Sequence, residues 1–111
     1  MTARLPEHVK VKSAKSTFRK AVGLMFKRKV DYVLLMDFGK LSDNITLHSL
    51  FVFFYFHCIF LDDEKVIVDI EKEIPPFTFG ITSKKPARYV LEVPKDVVDI
   101  DDFSVGEKLE V

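Results

Sequence analysis

The sequence predicts a small, mainly β domain of β-sandwich, jelly-roll-like or barrel-like architecture with one or two short helices. Two observations support this class: an almost wholly apolar run from Leu50 to Leu61, and several short segments in which apolar and polar residues alternate between turn-forming residues. The chain has 111 residues, of which 48% are hydrophobic and 31% charged. Such a composition is typical of one globular domain, here spanning residues 1–111.

The first elements are short. His8 to Lys12 alternates as a strand, and Ser16 with Thr17 offers an N-cap for a helix that ends near Met25. Asp31 to Phe38 then has the apolar content of a strand. Gly39 to Asn44 follows as a polar turn.

The run from Leu50 to Leu61 is too short to span a membrane, which takes about 17 to 25 apolar residues, and its aromatic and β-branched residues favour a strand. Only His57 in it is conventionally polar. Because side chains alternate along a strand, two apolar faces are expected. One face carries Leu50, Val52, Phe54, Phe56, Cys58 and Phe60, and the other Phe51, Phe53, Tyr55, His57, Ile59 and Leu61.

The second half of the chain continues the β pattern. Asp62 to Glu64 is expected to be a hairpin turn before a strand over Lys65 to Ile70, whose Val66, Val68 and Ile70 would point inward. Phe77 to Pro86 is a predicted long loop, since Gly80, Ser83 and Pro86 interrupt it, and such loops often carry binding residues. Tyr89 to Val93 is a strand. Lys95 to Phe103 is either irregular or one helical turn, and Val105 to Val111 ends in a short strand.

Four short blocks resemble the uncharacterised family called domain of unknown function 192, from about residue 9 to residue 111. They are Gly23-Leu24-Met25-Phe26, His48-Ser49-Leu50-Phe51 leading to Ile59-Phe60-Leu61-Asp62, Ala87-Arg88-Tyr89-Val90-Leu91-Glu92-Val93, and Gly106-Glu107-Lys108-Leu109-Glu110. The resemblance implies a small, mainly β domain with no established activity.

Three residues depart from the pattern that the resemblance implies. Phe53, Tyr55 and His57 stand where such proteins usually have a basic residue, a proline and an aspartate. If the basic and acidic residues form a polar site in relatives, this chain has largely lost it.

Candidate ligand-binding residues are His48, His57 and Arg88, which would border a shallow site beside the predicted loop. For His57 the favoured interpretation is instead a core imidazole bonded to a backbone carbonyl and kept neutral by burial. Arg88 could instead form a surface ion pair with Glu92, four residues along the same strand face. Cys58, the only cysteine, is expected to be a buried hydrophobic residue. No metal ligands have the required spacing, and no cofactor-binding or catalytic motif is found.

The charge is unevenly distributed, although the net charge is zero. Residues 1–30 contain nine Lys or Arg residues and one acid, which gives +8, and the remaining residues contain eight bases and sixteen acids, which gives −8. The basic third predicts, as an alternative function, nucleic-acid binding through Lys27, Arg28 and Lys29. Packing of this segment beside acidic strands of the same fold is the favoured explanation, because no aromatic residues alternate with the basic ones and the acidic remainder would repel phosphate.

The preferred functional hypothesis is a non-catalytic binding or interaction module of unknown ligand. A homodimer is expected if the apolar run is not fully covered within one chain. Because the first residues lack the apolar core of a secretory signal, a cytoplasmic location is expected.

Overall fold

The computed structural model describes residues 2–14, 31–43, 45–47, 52–78 and 80–111. These residues form a mainly β domain, which confirms the predicted class. In chain order the strands are β1 (Thr2–Arg4), β2 (Lys10–Ala14), β3 (Tyr32–Ser42), β4 (Thr46–Leu47), β5 (Phe56–Leu61), β6 (Ile67–Ile74), β7 (Ile81–Thr82), β8 (Ala87–Pro94) and β9 (Lys108–Glu110). A single 3₁₀ turn, Ile100–Asp102, is the helical element in the described residues.

Five strands form one mixed sheet in the order β2-β3-β8-β5-β6. Strand β2 pairs in parallel with β3, whereas the other three pairs are antiparallel. Two small sheets accompany it, a parallel pair of β1 with β9 and an antiparallel pair of β4 with β7. Strands β3, β8 and β5 are therefore interior and hydrogen-bonded on both sides.

The main sheet is apolar on both faces because β5 is buried along its whole length. Face A is the side that carries Phe56, Cys58 and Phe60, and face B is the side that carries Ile59 and Leu61. Each face contributes to its own cluster of buried side chains. The predicted alternation of the apolar run is thus confirmed from residue 56 onward.

The predicted strand over Leu50 to Leu61 is too long. It begins at Phe56, residues 52–55 are not in a strand, and residues 48–51 lie outside the described part. The backbone carbonyl of Tyr55 instead accepts a hydrogen bond from the Lys95 N–H at 3.1 Å, where the chain leaves β8.

Bulges explain two further differences from the predicted pattern. The β5–β6 register shifts between Phe60 and Leu61, so Ile67 and Ile70 both pack on face B, whereas Val68 packs on face A. Strand β3 runs on through the predicted polar turn to Ser42, with a register shift that contains Gly39 at φ +85°. Glycine adopts this left-handed conformation without the steric cost of a Cβ atom.

The turns agree better with the sequence. The Asp62 carboxylate accepts hydrogen bonds from the Glu64 and Val66 N–H groups at 2.9 and 3.0 Å, which closes the predicted hairpin between β5 and β6. The predicted loop over Phe77 to Pro86 contains the two-residue strand β7. Asp69 ties this loop to the sheet by accepting a hydrogen bond from the Lys84 N–H at 2.9 Å. The helix predicted after Ser16 falls outside the described residues.

Candidate functional site

Arg88, a predicted ligand-binding residue, lies between two carboxylates. Its Nε is 3.1 Å from Asp37 Oδ1 and its NH2 3.4 Å from Asp37 Oδ2, and NH1 is 3.6 Å from Asp63 Oδ1. The guanidinium carbon also lies 4.9 Å from the centre of the Tyr89 ring. The hydrogen bond to Asp37 raises the pKa of Arg88, so its charge is stabilised within the fold. The predicted ion pair with Glu92 is not formed.

His57, a second predicted site residue, is only 2% exposed. Its Nδ1 accepts a hydrogen bond from the Glu73 backbone N–H at 2.9 Å. The partner is thus a backbone donor, not the carbonyl expected from the sequence. Burial lowers the pKa of His57, and the neutral imidazole can accept this bond because its Nδ1 is unprotonated.

The structure does not bring His57 and Arg88 together. His57 lies opposite Val93 in the β5–β8 pairing, whereas Arg88 is five residues earlier on β8. At about 3.3 Å per residue, the two backbone positions are roughly 16 Å apart along the sheet. The other predicted site residues, His48 and the alternative set Lys27, Arg28 and Lys29, lie outside the described residues. Their binding roles therefore stay predictions.

An exposed cluster that we call the aromatic patch contains Phe53, Tyr55 and Phe77. These side chains are 48%, 49% and 52% exposed, respectively. The Phe53 and Phe77 rings contact each other edge to face, with centroids 5.8 Å apart. Val52 is buried and Phe54 packs on the face A cluster, so the segment before β5 alternates and turns Phe53 and Tyr55 outward.

The backbone of Phe77 is strained. Its φ of +58° lies in the left-handed region, which a bulky side chain seldom adopts. Within this turn the Thr78 hydroxyl donates a hydrogen bond to the Pro75 carbonyl at 2.8 Å. The turn therefore holds the Phe77 ring in an exposed position at a conformational cost of order 1–3 kcal/mol.

Charges of both signs border the aromatic patch. Lys95 Nζ lies 5.7 Å from the centre of the Tyr55 ring and 3.2 Å from Glu73 Oε1. A second exposed ion pair joins Asp101 to Lys72, which lies next to Glu73 on β6, at 3.0 Å. The border of the patch thus carries neighbouring positive and negative groups.

Glu92 is the residue that sequence reasoning missed. It was grouped with Arg88 as a surface residue, yet it is only 6% exposed in the central strand β8. Burial raises the pKa of its carboxyl to about 7. Strongly perturbed carboxyls are concentrated at functional sites. The signal was present in the sequence, because Val-Leu-Glu-Val places this glutamate inside a strand that is apolar on both faces.

Cys58 lies directly opposite Glu92 and is fully buried. Burial, together with the nearby carboxylates of Glu92 and Glu71, raises the pKa of the Cys58 thiol well above its usual value. Its thiol is therefore held in the unreactive protonated form, as expected for a buried hydrophobic cysteine. Across the described residues, no three His, Cys, Asp or Glu side chains are arranged to hold a metal ion.

Comparison with known proteins agrees with the resemblance of the four sequence blocks. The sequence profile of domain of unknown function 192, described as an uncharacterized ACR, matches residues 2–111. The chain belongs to this family. A UPF0127 protein of Pyrococcus furiosus is 32% identical over 103 residues, which cover 92% of this chain and 86% of that protein.

Two solved structures share the fold of this member of domain of unknown function 192. A candidate transcription regulator from Sinorhizobium meliloti has a TM-score of 0.78 at 26% identity, covering 88% of this chain and 78% of its own. A protein of unknown function from Novosphingobium aromaticivorans has the same TM-score at 17% identity, covering 90% and 73%. The family and its neighbours therefore establish the fold and leave the function uncharacterised. In the described part of the chain, no helix is long and apolar enough to cross a membrane.

Proposed function

We propose that the domain is a non-catalytic interaction module that binds a second copy of this chain through the aromatic patch. The observation that carries this proposal is that Phe53, Tyr55 and Phe77 remain about half exposed while β5 is fully buried. The apolar run is thus covered within one chain along its strand, and among its described residues Phe53 and Tyr55 are the exposed ones. Exposed, ordered aromatic side chains are enriched at the centres of protein interfaces.

The charges favour a second copy as the partner. A two-fold interface places the same patch on both subunits, so it must be complementary to itself. Lys95 and Glu73 provide both signs at the border of the aromatic patch, and the positive group of one copy can face the negative group of the other. The chain also has zero net charge, so long-range repulsion between copies is weak.

The non-catalytic part of the proposal rests on how three reactive or charged side chains of the described residues are engaged. His57 accepts a backbone hydrogen bond, Cys58 is fully buried, and Arg88 is held by two carboxylates. The engagement of these three side chains in the fold favours binding over catalysis at their positions. A cytoplasmic location belongs to the same proposal.

Sedimentation equilibrium of the full chain over a wide concentration range tests the proposal. We expect a concentration-dependent dimer, weakened about tenfold or more by Phe53→Ser or Phe77→Ser, since an interface aromatic contributes at least about 1.4 kcal/mol. Val105→Ser is the matched control, because Val105 is a comparably exposed apolar residue in a different turn. A monomer at every concentration, or an equal effect of the control, would refute the proposal.

Nucleic-acid binding is the second candidate. It is favoured by the excess of eight positive charges in residues 1–30 and by the neighbour described as a candidate transcription regulator. Log affinity for DNA or RNA should then fall linearly with log salt concentration. Changing Lys27, Arg28 and Lys29 to Ala together should flatten that slope, and failure to bind at low salt would exclude this function.

A further inference from the structure

Glu92 lies at the centre of the main sheet, on face A. Its cross-strand neighbours are Leu34 on β3 and Cys58 on β5, and both belong to the buried cluster of face A. Directly opposite residues share a sheet face, so the Glu92 carboxyl points into this apolar cluster. The cluster also contains the aromatic side chains of Tyr32, Phe56 and Phe60.

No hydrogen bond or ion pair to the Glu92 carboxyl is found among the described residues. Desolvation is the cause of its raised pKa, with no charged partner to offset it. A buried carboxyl without a partner costs stability, and native proteins rarely keep one without a functional reason. The described fold therefore gives Glu92 no structural role that an apolar residue would not perform better.

The carboxyl also retains access to solvent. Among the described residues, every fully buried side-chain nitrogen or oxygen has a hydrogen-bond partner. The oxygens of Glu92 have no such partner and so are not completely enclosed, in agreement with the residual 6% exposure of the residue.

Two acidic side chains flank Cys58 on face A. Cys58 on β5 pairs with Glu92 on β8 and, on its other side, with Glu71 on β6. The three residues therefore form one row across face A. Since neighbouring strands are about 4.8 Å apart, the two glutamates are roughly 10 Å apart at their backbones. Both carboxylates act electrostatically on the Cys58 thiol between them. The row thus attracts positive charge within apolar and aromatic surroundings.

We propose that Glu92, assisted by Glu71, binds a small organic cation, a primary ammonium group with a short apolar chain. The ammonium donates hydrogen bonds to the Glu92 carboxylate, and the chain packs among the apolar side chains of face A. Aromatic rings favour such a cation further through their negative faces. An organic cation fits better than a metal ion, because no set of three metal-ligating side chains occurs in the described residues. This site is separate from the aromatic patch and does not depend on it.

The probes are n-alkylammonium ions from methyl to hexyl, with the n-alkanols of the same lengths as neutral controls. Carboxyl carbon NMR of the full chain, labelled at its glutamates, follows binding at about pH 8, where Glu92 is mostly ionised. We expect saturable binding with an optimal chain length, and affinity for the alkanols at least about tenfold weaker because they lack the charge-assisted hydrogen bond. The Glu92 titration midpoint should also fall when the ammonium binds.

Variants test where the ammonium ion binds. Glu92→Gln should abolish binding, Glu71→Gln should weaken it several-fold, and Glu64→Gln, in the exposed hairpin turn, should leave it unchanged. If Glu92→Gln does not fold, wild-type binding at about pH 5 is the substitute, since protonation of Glu92 should remove it. The proposal fails if no ammonium ion binds saturably, if alkanols bind equally well, if binding persists when Glu92 is neutral, or if only divalent metal ions shift the Glu92 signal.

Discussion

His57 is held by the backbone of the neighbouring strand, because its Nδ1 accepts a 2.9 Å hydrogen bond from the Glu73 N–H. The bond occurs where the β5–β6 register shifts between Phe56 and Cys58. Glu73 adopts φ +50° there, in the left-handed region, and its N–H bonds to the imidazole. The imidazole thus satisfies a backbone donor at the bulge. His57 therefore has a structural role at the position where the resemblance implies an aspartate.

We predict that His57→Leu destabilises the fold by about 1–3 kcal/mol, because it leaves the Glu73 N–H without its acceptor. The free energy of unfolding from urea titration measures the effect. Val93→Ala, at the position opposite His57, controls for lost packing at the same place in the sheet. An unchanged free energy for His57→Leu would show that this hydrogen bond contributes nothing.

Glu92 makes the stability depend on pH. Its folded pKa of about 7 exceeds the ordinary value of 4.5, so the unfolded chain releases the proton first as the pH rises. The stability contributed by the neutral carboxyl is complete below about pH 4.5 and is lost as the pH rises to about 7. At 1.36 kcal/mol per pKa unit, the loss is roughly 3 kcal/mol.

Glu92→Gln should remove this dependence, because its side chain is neutral at every pH. Urea titrations from about pH 4.5 to pH 8 measure both proteins, and the wild type should approach or fall below the variant at the upper end. His57 changes the pH dependence of stability in the opposite direction. Because its pKa is lowered in the folded protein, stability increases as the pH rises toward 6.5, the ordinary pKa of histidine. Parallel pH profiles for wild type and Glu92→Gln would contradict the prediction.

Arg88 should couple more strongly to Asp37 than to Asp63. Two nitrogens reach the Asp37 carboxylate, whereas Asp63 is 3.6 Å away and more exposed. Double-mutant cycles that combine Arg88→Gln with Asp37→Asn or Asp63→Asn compare the two pairs. Asn retains an oxygen that can accept the hydrogen bond that Asp37 receives from the Gly39 N–H, so this bond is kept in the variant. Equal coupling energies in the two cycles would show that Arg88 does not interact more strongly with Asp37 than with Asp63.

Cys58 should resist alkylation in the native protein. It is fully buried, and its pKa is raised by burial and by two carboxylates, so little reactive thiolate is present. Mass spectrometry after iodoacetamide treatment at increasing urea concentration should show modification that follows unfolding. Rapid modification without urea would mean that face A opens readily near Glu92.

The sequence could predict the local elements of the fold. The alternation from Phe56 to Leu61 placed each residue on its observed face, and the acidic residues after Leu61 marked the hairpin turn. These features depend on side-chain period and turn chemistry, which neighbouring residues determine. The start of β5 was predicted too early because Phe53 and Tyr55 have the same β propensity as the residues inside the strand.

The pairing of distant strands could not be predicted in this way. The parallel pairs β1–β9 and β2–β3 join segments that carry no sign of each other in sequence. The bulges depend on the partner strand, so the inward side of β6 was assigned incorrectly to Val66, Val68 and Ile70. The separation of His57 from Arg88 also follows from register, which only the assembled sheet defines.

The sequence by itself determined the β class, the family and the burial of the apolar run, because composition and period specify which residues must leave water. Tertiary structure alone decided which polar groups were buried with that run and which aromatic residues were not. Glu92 is buried because β8 lies between β3 and β5, whereas Phe53 and Tyr55 remain exposed because the chain joins β5 only at Phe56. Burial of an individual side chain depends on the neighbours that the topology supplies, and residue type does not encode them.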